Sequence, residues 1–145
     1  MKEILVLGIG NRLMADDGIG VYVVEELKRR NSNPKIFYLV GETDFYFCLN
    51  EMKEALYTII VDAAYLGNKP GTISIISFQH VSRNCIQSIS VHESHLLNDI
   101  KGIEGMLICI EPYEINYCIS LSSTLQEQFL KIVEKTESII SSIKI

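Results

Sequence analysis

The amino-acid sequence predicts an α/β fold: a single five-stranded, mostly parallel sheet with one antiparallel strand and helices on both faces. Three observations carry this. Short apolar runs alternate with segments whose apolar residues recur at helical spacing, the pattern of a sheet covered by helices. The first run, residues 4–7, is apolar without interruption and ends in Gly8, as a strand buried on both faces reads. The link from Asp62 to Thr72 is too short for a helical crossover, which takes about a dozen residues. The strand after that link is therefore expected to run antiparallel to the one before it.

The elements follow in order. After the first strand a loop spans residues 8–18. Ile19, Val23, Val24 and Leu27 then share one helical face, and Lys28, Arg29 and Arg30 suit the negative end of that helix. Asn31-Ser32-Asn33-Pro34 stops it. Residues 35–40 read as the second strand, 44–52 as a short helix and 57–61 as a third strand ending at Asp62. Gly67-Asn68-Lys69-Pro70-Gly71 is a turn cluster before a fourth strand over 72–78. Residues 79–87 are polar and loop-like, and Leu96, Leu97 and Ile100 suggest a helix beginning near His92. Residues 106–111 form the fifth strand. Leu125, Phe129, Ile132, Val133, Ile139, Ile140 and Ile143 mark a long final helix, with Ser122 or Ser123 as its N-cap.

Composition narrows the function. With 145 residues and 48% hydrophobic content, the chain reads as one domain over residues 1–145 with a sizeable core. A net charge of -5 argues against a nucleic-acid-binding surface. None of Cys48, Cys85, Cys109 and Cys118 forms a C-x-x-C pair, and Cys109 lies in an apolar run as a buried thiol would, which suits the reducing cytoplasm. The apolar N-terminus is shorter than a signal peptide requires, and no run is long enough to span a membrane.

In open α/β sheets ligands sit beyond the carboxyl ends of the strands. Three such places carry chemistry. After the first strand comes Gly8-Ile9-Gly10-Asn11-Arg12-Leu13-Met14-Ala15-Asp16-Asp17-Gly18-Ile19-Gly20; after the third comes Asp62; before the third helix comes Ser90-Val91-His92-Glu93. The glycine loop opens like a dinucleotide fingerprint, but Leu13 stands where its third glycine belongs. Two carboxylates also occupy the helix start where a pyrophosphate would lie. Either acid alone could cap the helix. Two adjacent carboxylates repel, so the second asks for a cation or a functional reason. Asp62 could likewise cap a turn, and His92 could be a neighbour of a helix N-cap. Taken together, two carboxylates and an imidazole at one rim form a mixed O,O,N set suited to a borderline divalent first-row metal. His95 shares a helical face with His92 and is an alternative ligand or a supporting group. His80 lies in the loop after the fourth strand and looks incidental.

These blocks resemble the hydrogenase maturation proteases, the nickel-dependent C-terminal endopeptidases of [NiFe] hydrogenases. Residues 4–20 carry a strand, G-x-G-N, an acidic pair and G-x-G; Val61-Asp62-Ala63 with Pro70-Gly71-Thr72, then Ser90-x-His92, then residues 107–112 and Leu121-Ser122 follow in the family's order. One departure is the segment after the second strand, Val40-Gly41-Glu42-Thr43, where the family often has D-G-G-T.

The resemblance implies metal ligation by Asp17, Asp62 and His92, toward Ni2+ carried by the substrate, with no organic cofactor. It implies that the partner is a [NiFe]-hydrogenase large-subunit precursor whose C-terminal tail is removed by a monomeric enzyme. Asp17 and Asp62 would then be catalytic, and Asp16 is a spare carboxylate that could orient a water. No Ser/His/Asp or Cys/His nucleophile signature appears. Two rivals remain open at this point: a nickel-sensing chaperone that binds the precursor without cutting it, and a metallohydrolase acting on a small substrate.

Overall fold

A computed structural model describes residues 2–81, 100 and 102–144. The five expected strands are present: β1 (Lys2–Ile9), β2 (Ile36–Glu42), β3 (Ala55–Ala63), β4 (Ile73–Ser77) and β5 (Gly105–Ile110). They form one sheet in the order β2-β1-β3-β5-β4. All pairings are parallel except β4 with β5. β4 runs opposite to β3, as the short link requires, but it does not lie beside it, because β5 is inserted between them. Two strand spacings are only about 10 Å, which an extended link of this length spans easily. The link crosses the end of β5 and is bonded to it: Ala64 N–H donates to Ile110 O at 3.1 Å, and Gly71 N–H to Glu111 O at 2.8 Å.

Among the described residues three α-helices cover the two faces. On one side lie α1 (Ile19–Arg30) and α3 (Ser123–Ser141); on the other lies α2 (Phe45–Lys53). The alternation of side chains along each strand explains the division. Ile4, Val6, Ile59, Val61, Ile108 and Ile110 point to the first layer, where they meet Val23, Val24, Leu27, Leu125 and Val133. Leu5, Leu7, Ile60, Leu107 and Cys109 point to the second, against Cys48 and Met52. Each fully buried Val, Leu or Ile contributes about 1.5–3 kcal/mol of transfer free energy. Burial pushes the Cys48 thiol up to about 12, so it packs as a small apolar side chain. Asp44 caps α2 by accepting from Phe47 N–H at 3.0 Å, and Ser122 caps α3 by accepting from Leu125 N–H at 3.2 Å. The helix expected to begin near His92 lies outside the described residues.

The connections place the site. From β1 the chain leaves through α1 to β2 on one side, and through α2 it returns to β3 on the other. The strand order therefore reverses between β1 and β3, where Gly8 stands opposite Val61. A crevice opens at such a reversal because the two flanking loops turn away from each other.

Candidate functional site

The first wall of this crevice is the loop after β1. It turns sharply at Gly10, whose φ of +141 favours glycine and whose Cβ, if present, would lie 2.0 Å from Asp17 O. Ala15 takes a left-handed φ of 51, a conformation that costs a residue with a side chain about 1–2 kcal/mol. It is held by its N–H bond to Cys118 O at 2.8 Å. A short 3-10 turn, Ala15–Gly18, runs directly into α1. At Gly20 a Cβ would sit 2.1 Å from Val61 O, so glycine lets the start of α1 rest on the end of β3. This contact sets the turn that carries Asp17 against the carboxyl end of β3, where Asp62 lies.

The two adjacent acids face different surroundings. Asp16 is fully buried. Its Oδ2 accepts from Tyr113 N–H at 2.9 Å, Glu114 N–H at 3.0 Å and Ser122 Oγ–H at 2.8 Å, while Oδ1 accepts from Ser122 N–H at 2.8 Å. Asp16 thus ties a strap, residues 113–121, and the cap of α3 to the first loop. Neither acid caps α1: its N-cap is Gly18, with no side-chain cap bond. Asp17 is half-buried and accepts from Asn11 N–H at 2.9 Å. Burial raises its carboxyl above the ordinary value, and the Asn11 N–H bond offsets part of that rise.

Asp62 is 5% exposed at the end of β3 and accepts from Ala63 N–H at 2.8 Å. Asp62 thus lies at the end of β3, Asp17 lies in the loop that packs on that end through Gly20, and Asp16 turns toward the strap. His92 and His95 lie outside the described residues. Among the described residues no group of three His, Cys, Asp or Glu side chains forms a metal site.

Sequence reasoning missed Glu111 as a site residue. It ends β5 as Asp62 ends β3, is buried, and accepts through Oε1 from Leu66 N–H at 2.8 Å and Asn68 N–H at 3.2 Å. The signal that could have found it is the same one, an acid directly after a buried apolar run. Tyr65 lies in the link that follows β3. Burial, followed by the negative field of Asp16, Glu111, Asp17 and Glu114, raises its phenol above the ordinary value. The rim is therefore a region of negative potential suited to a cation. At its edge Glu42 occupies a left-handed φ of 49 and pairs at 3.3 Å with Arg12, which also binds Glu25 at 2.6 Å. A depression of about 380 Å³ adjoins the rim, lined by Tyr22, Ile119, Ser120, Leu121, Gln126 and Phe129 rather than by the acids.

Comparison with known proteins agrees with this architecture. The sequence model described as hydrogenase maturation protease matches residues 21–139. The hydrogenase expression/formation protein HupD of Bradyrhizobium diazoefficiens is 39% identical over 95 residues, covering 64% of this chain and 50% of that protein. The HupD protein of Thiocapsa roseopersicina is 30% identical over 146 residues, covering 91% of this chain and 65% of its own length. The chain thus spans half to two-thirds of the length of these relatives. The structure of the hydrogenase maturating endopeptidase HybD from Escherichia coli superimposes with a TM-score of 0.79 at 26% identity, over 96% of this chain and 92% of that one.

Proposed function

This chain belongs to the hydrogenase maturation protease family, and from that premise we propose that it is the endopeptidase that removes the C-terminal tail of a nickel-loaded [NiFe]-hydrogenase large-subunit precursor. The observation that carries the reading is the family match over residues 21–139 on a fold shared with a hydrogenase maturating endopeptidase, and the seating of the start of α1 on the end of β3 supports a joint role for Asp17 and Asp62. We place its action in the cytoplasm, as a monomer. No described helix is long and apolar enough to cross a membrane.

Nickel enters as the substrate's cargo. Asp17 and Asp62 supply two hard oxygen donors, and His92 is the third donor by resemblance. A half-buried carboxylate with a raised pKa gains from a cation, which restores the charge that burial disfavours. Gripping the precursor at its metal positions the amide beside it. Hydrolysis adds the hydroxyl of water to the carbonyl carbon and its proton to the leaving amine, so a base within reach of that water assists. Asp16 is engaged by four protein donors, so we assign it to holding the strap, and we assign the action on water to Asp17 and Asp62 by the family resemblance.

The test mixes purified protein with nickel-loaded and nickel-free precursor and follows tail release by mass. Release from the loaded precursor only is expected. Asp62→Asn and His92→Ala should each lower it by about 100-fold or more, the scale of losing a transition-state contact. Binding without release by the unaltered protein would favour the chaperone reading and sink this one.

A further inference from the structure

The strap combines two properties that rarely occur together. Its backbone is pinned: Asp16 takes Tyr113 N–H and Glu114 N–H, Cys118 N–H donates to Leu13 O at 3.1 Å, Ala15 N–H donates to Cys118 O at 2.8 Å, and Tyr22 Oη–H donates to Ile119 O at 3.1 Å. Its side chains nonetheless point into solvent. Tyr117 is 93% exposed, Ile119 78% and Tyr113 57%, with Leu13 beside them at 60%. Apolar side chains held in place at the surface offer a pre-formed contact area with little left to order on binding.

Charge selects the partner. From Gly102 to Leu130 the sequence has no lysine or arginine, while Glu111 and Glu114 stand at the strap. Asp16 lies beneath the strap, bonded to Glu114 N–H, and its charge and that of Glu114 also act on Tyr65. Behind Ile119 the apolar depression extends the surface toward Phe129.

Resting on the reading given under Proposed function, we propose that residues 113–121 and the depression behind Ile119 seat an extended segment of the precursor that carries apolar side chains and positive charge. The apolar side chains lie on Tyr117 and Ile119, and the cationic part faces the acidic rim, which carries that segment to Asp17 and Asp62.

The test compares the unaltered protein, the double variant Tyr117→Ser/Ile119→Ser, and Glu114→Gln. Binding to purified nickel-loaded large-subunit precursor is titrated, tail release is measured at saturating precursor, and the free proteins are sedimented. Both altered side chains of the double variant are solvent-exposed, so it should fold normally. It should bind the precursor at least about tenfold more weakly, yet release the tail at the unaltered rate once saturated. Glu114→Gln should weaken binding less and make it less sensitive to salt. Unchanged affinity in the double variant would overturn the proposal. So would a dimer of the unaltered protein that the double variant converts to monomers, since the surface would then serve a second copy of this chain. Failure of the unaltered protein to bind precursor would overturn it as well. If the unaltered protein binds but never cuts, the protease reading fails while the affinity comparison still decides the strap.

Discussion

The strap side and the crevice side of the first loop are built on opposite principles. On the strap side, Asp16 is saturated by four donors. On the crevice side, Asp17 is half-buried, takes one N–H among the described residues and carries a burial-raised pKa. One peptide bond separates them. A carboxylate supplied with enough N–H donors behaves as a structural joint, whereas one desolvated without them is left with unspent affinity for a cation. The contrast separates a carboxylate that holds the loop's shape from one placed to accept a cation.

The largest effect on this comparison should come from Asp16→Asn. An amide offers one acceptor oxygen where four donors converge, and its NH2 would face at least one N–H. A loss of about 2–4 kcal/mol is expected, from charge-assisted bonds worth about 1.5–3 kcal/mol each and an unsatisfied donor. Denaturant titration reads it directly. Asp16→Asn stability within about 0.5 kcal/mol of the unaltered protein would mean that the strap is not held through this carboxylate.

The second test concerns Asp17 and pH. Its folded pKa is raised, so the folded state holds the proton more tightly than the unfolded chain does. Its contribution therefore favours folding below the ordinary carboxylate pKa and is lost as pH rises through the folded value. Asp17→Asn removes this dependence. Relative to the variant, the unaltered protein should lose stability as pH rises above the ordinary carboxylate range in metal-free buffer, and added divalent cation should reduce the loss. A relative stability that rises over this range would reverse the assignment.

The smallest effect serves as a control far from both regions. Thr136 Oγ1, on the buried face of α3, has no hydrogen-bond partner among the described residues. Thr136→Val keeps the shape and removes that cost, so thermal unfolding should show a gain of about 1 kcal/mol with tail release unchanged. A loss of stability would mean that the hydroxyl is bonded.

Where local pattern decides, the sequence was legible. The strand over residues 57–61, the helix face of Ile19, Val23, Val24 and Leu27, the cap at Ser122 and the reversed direction of β4 depend on side-chain period, cap chemistry or link length. That Asp62 falls at the end of β3 and Asp17 in the loop after β1 followed from strand ends in chain order. The histidine expected to join them, His92, lies outside the described residues.

Sequence alone thus determined which segments become strands and helices and which end of the sheet carries the acids, because these properties are written within a few residues of one another. Only the tertiary structure decided that β5 separates β3 from β4, that Glu111 anchors the link above it, and that Asp16 turns away from its neighbour to bond Ser122, 106 residues later. A carboxylate's role depends on which donors surround it. Those donors come from loops distant in the chain, whose path is set by how the layers pack and leaves no periodic signal.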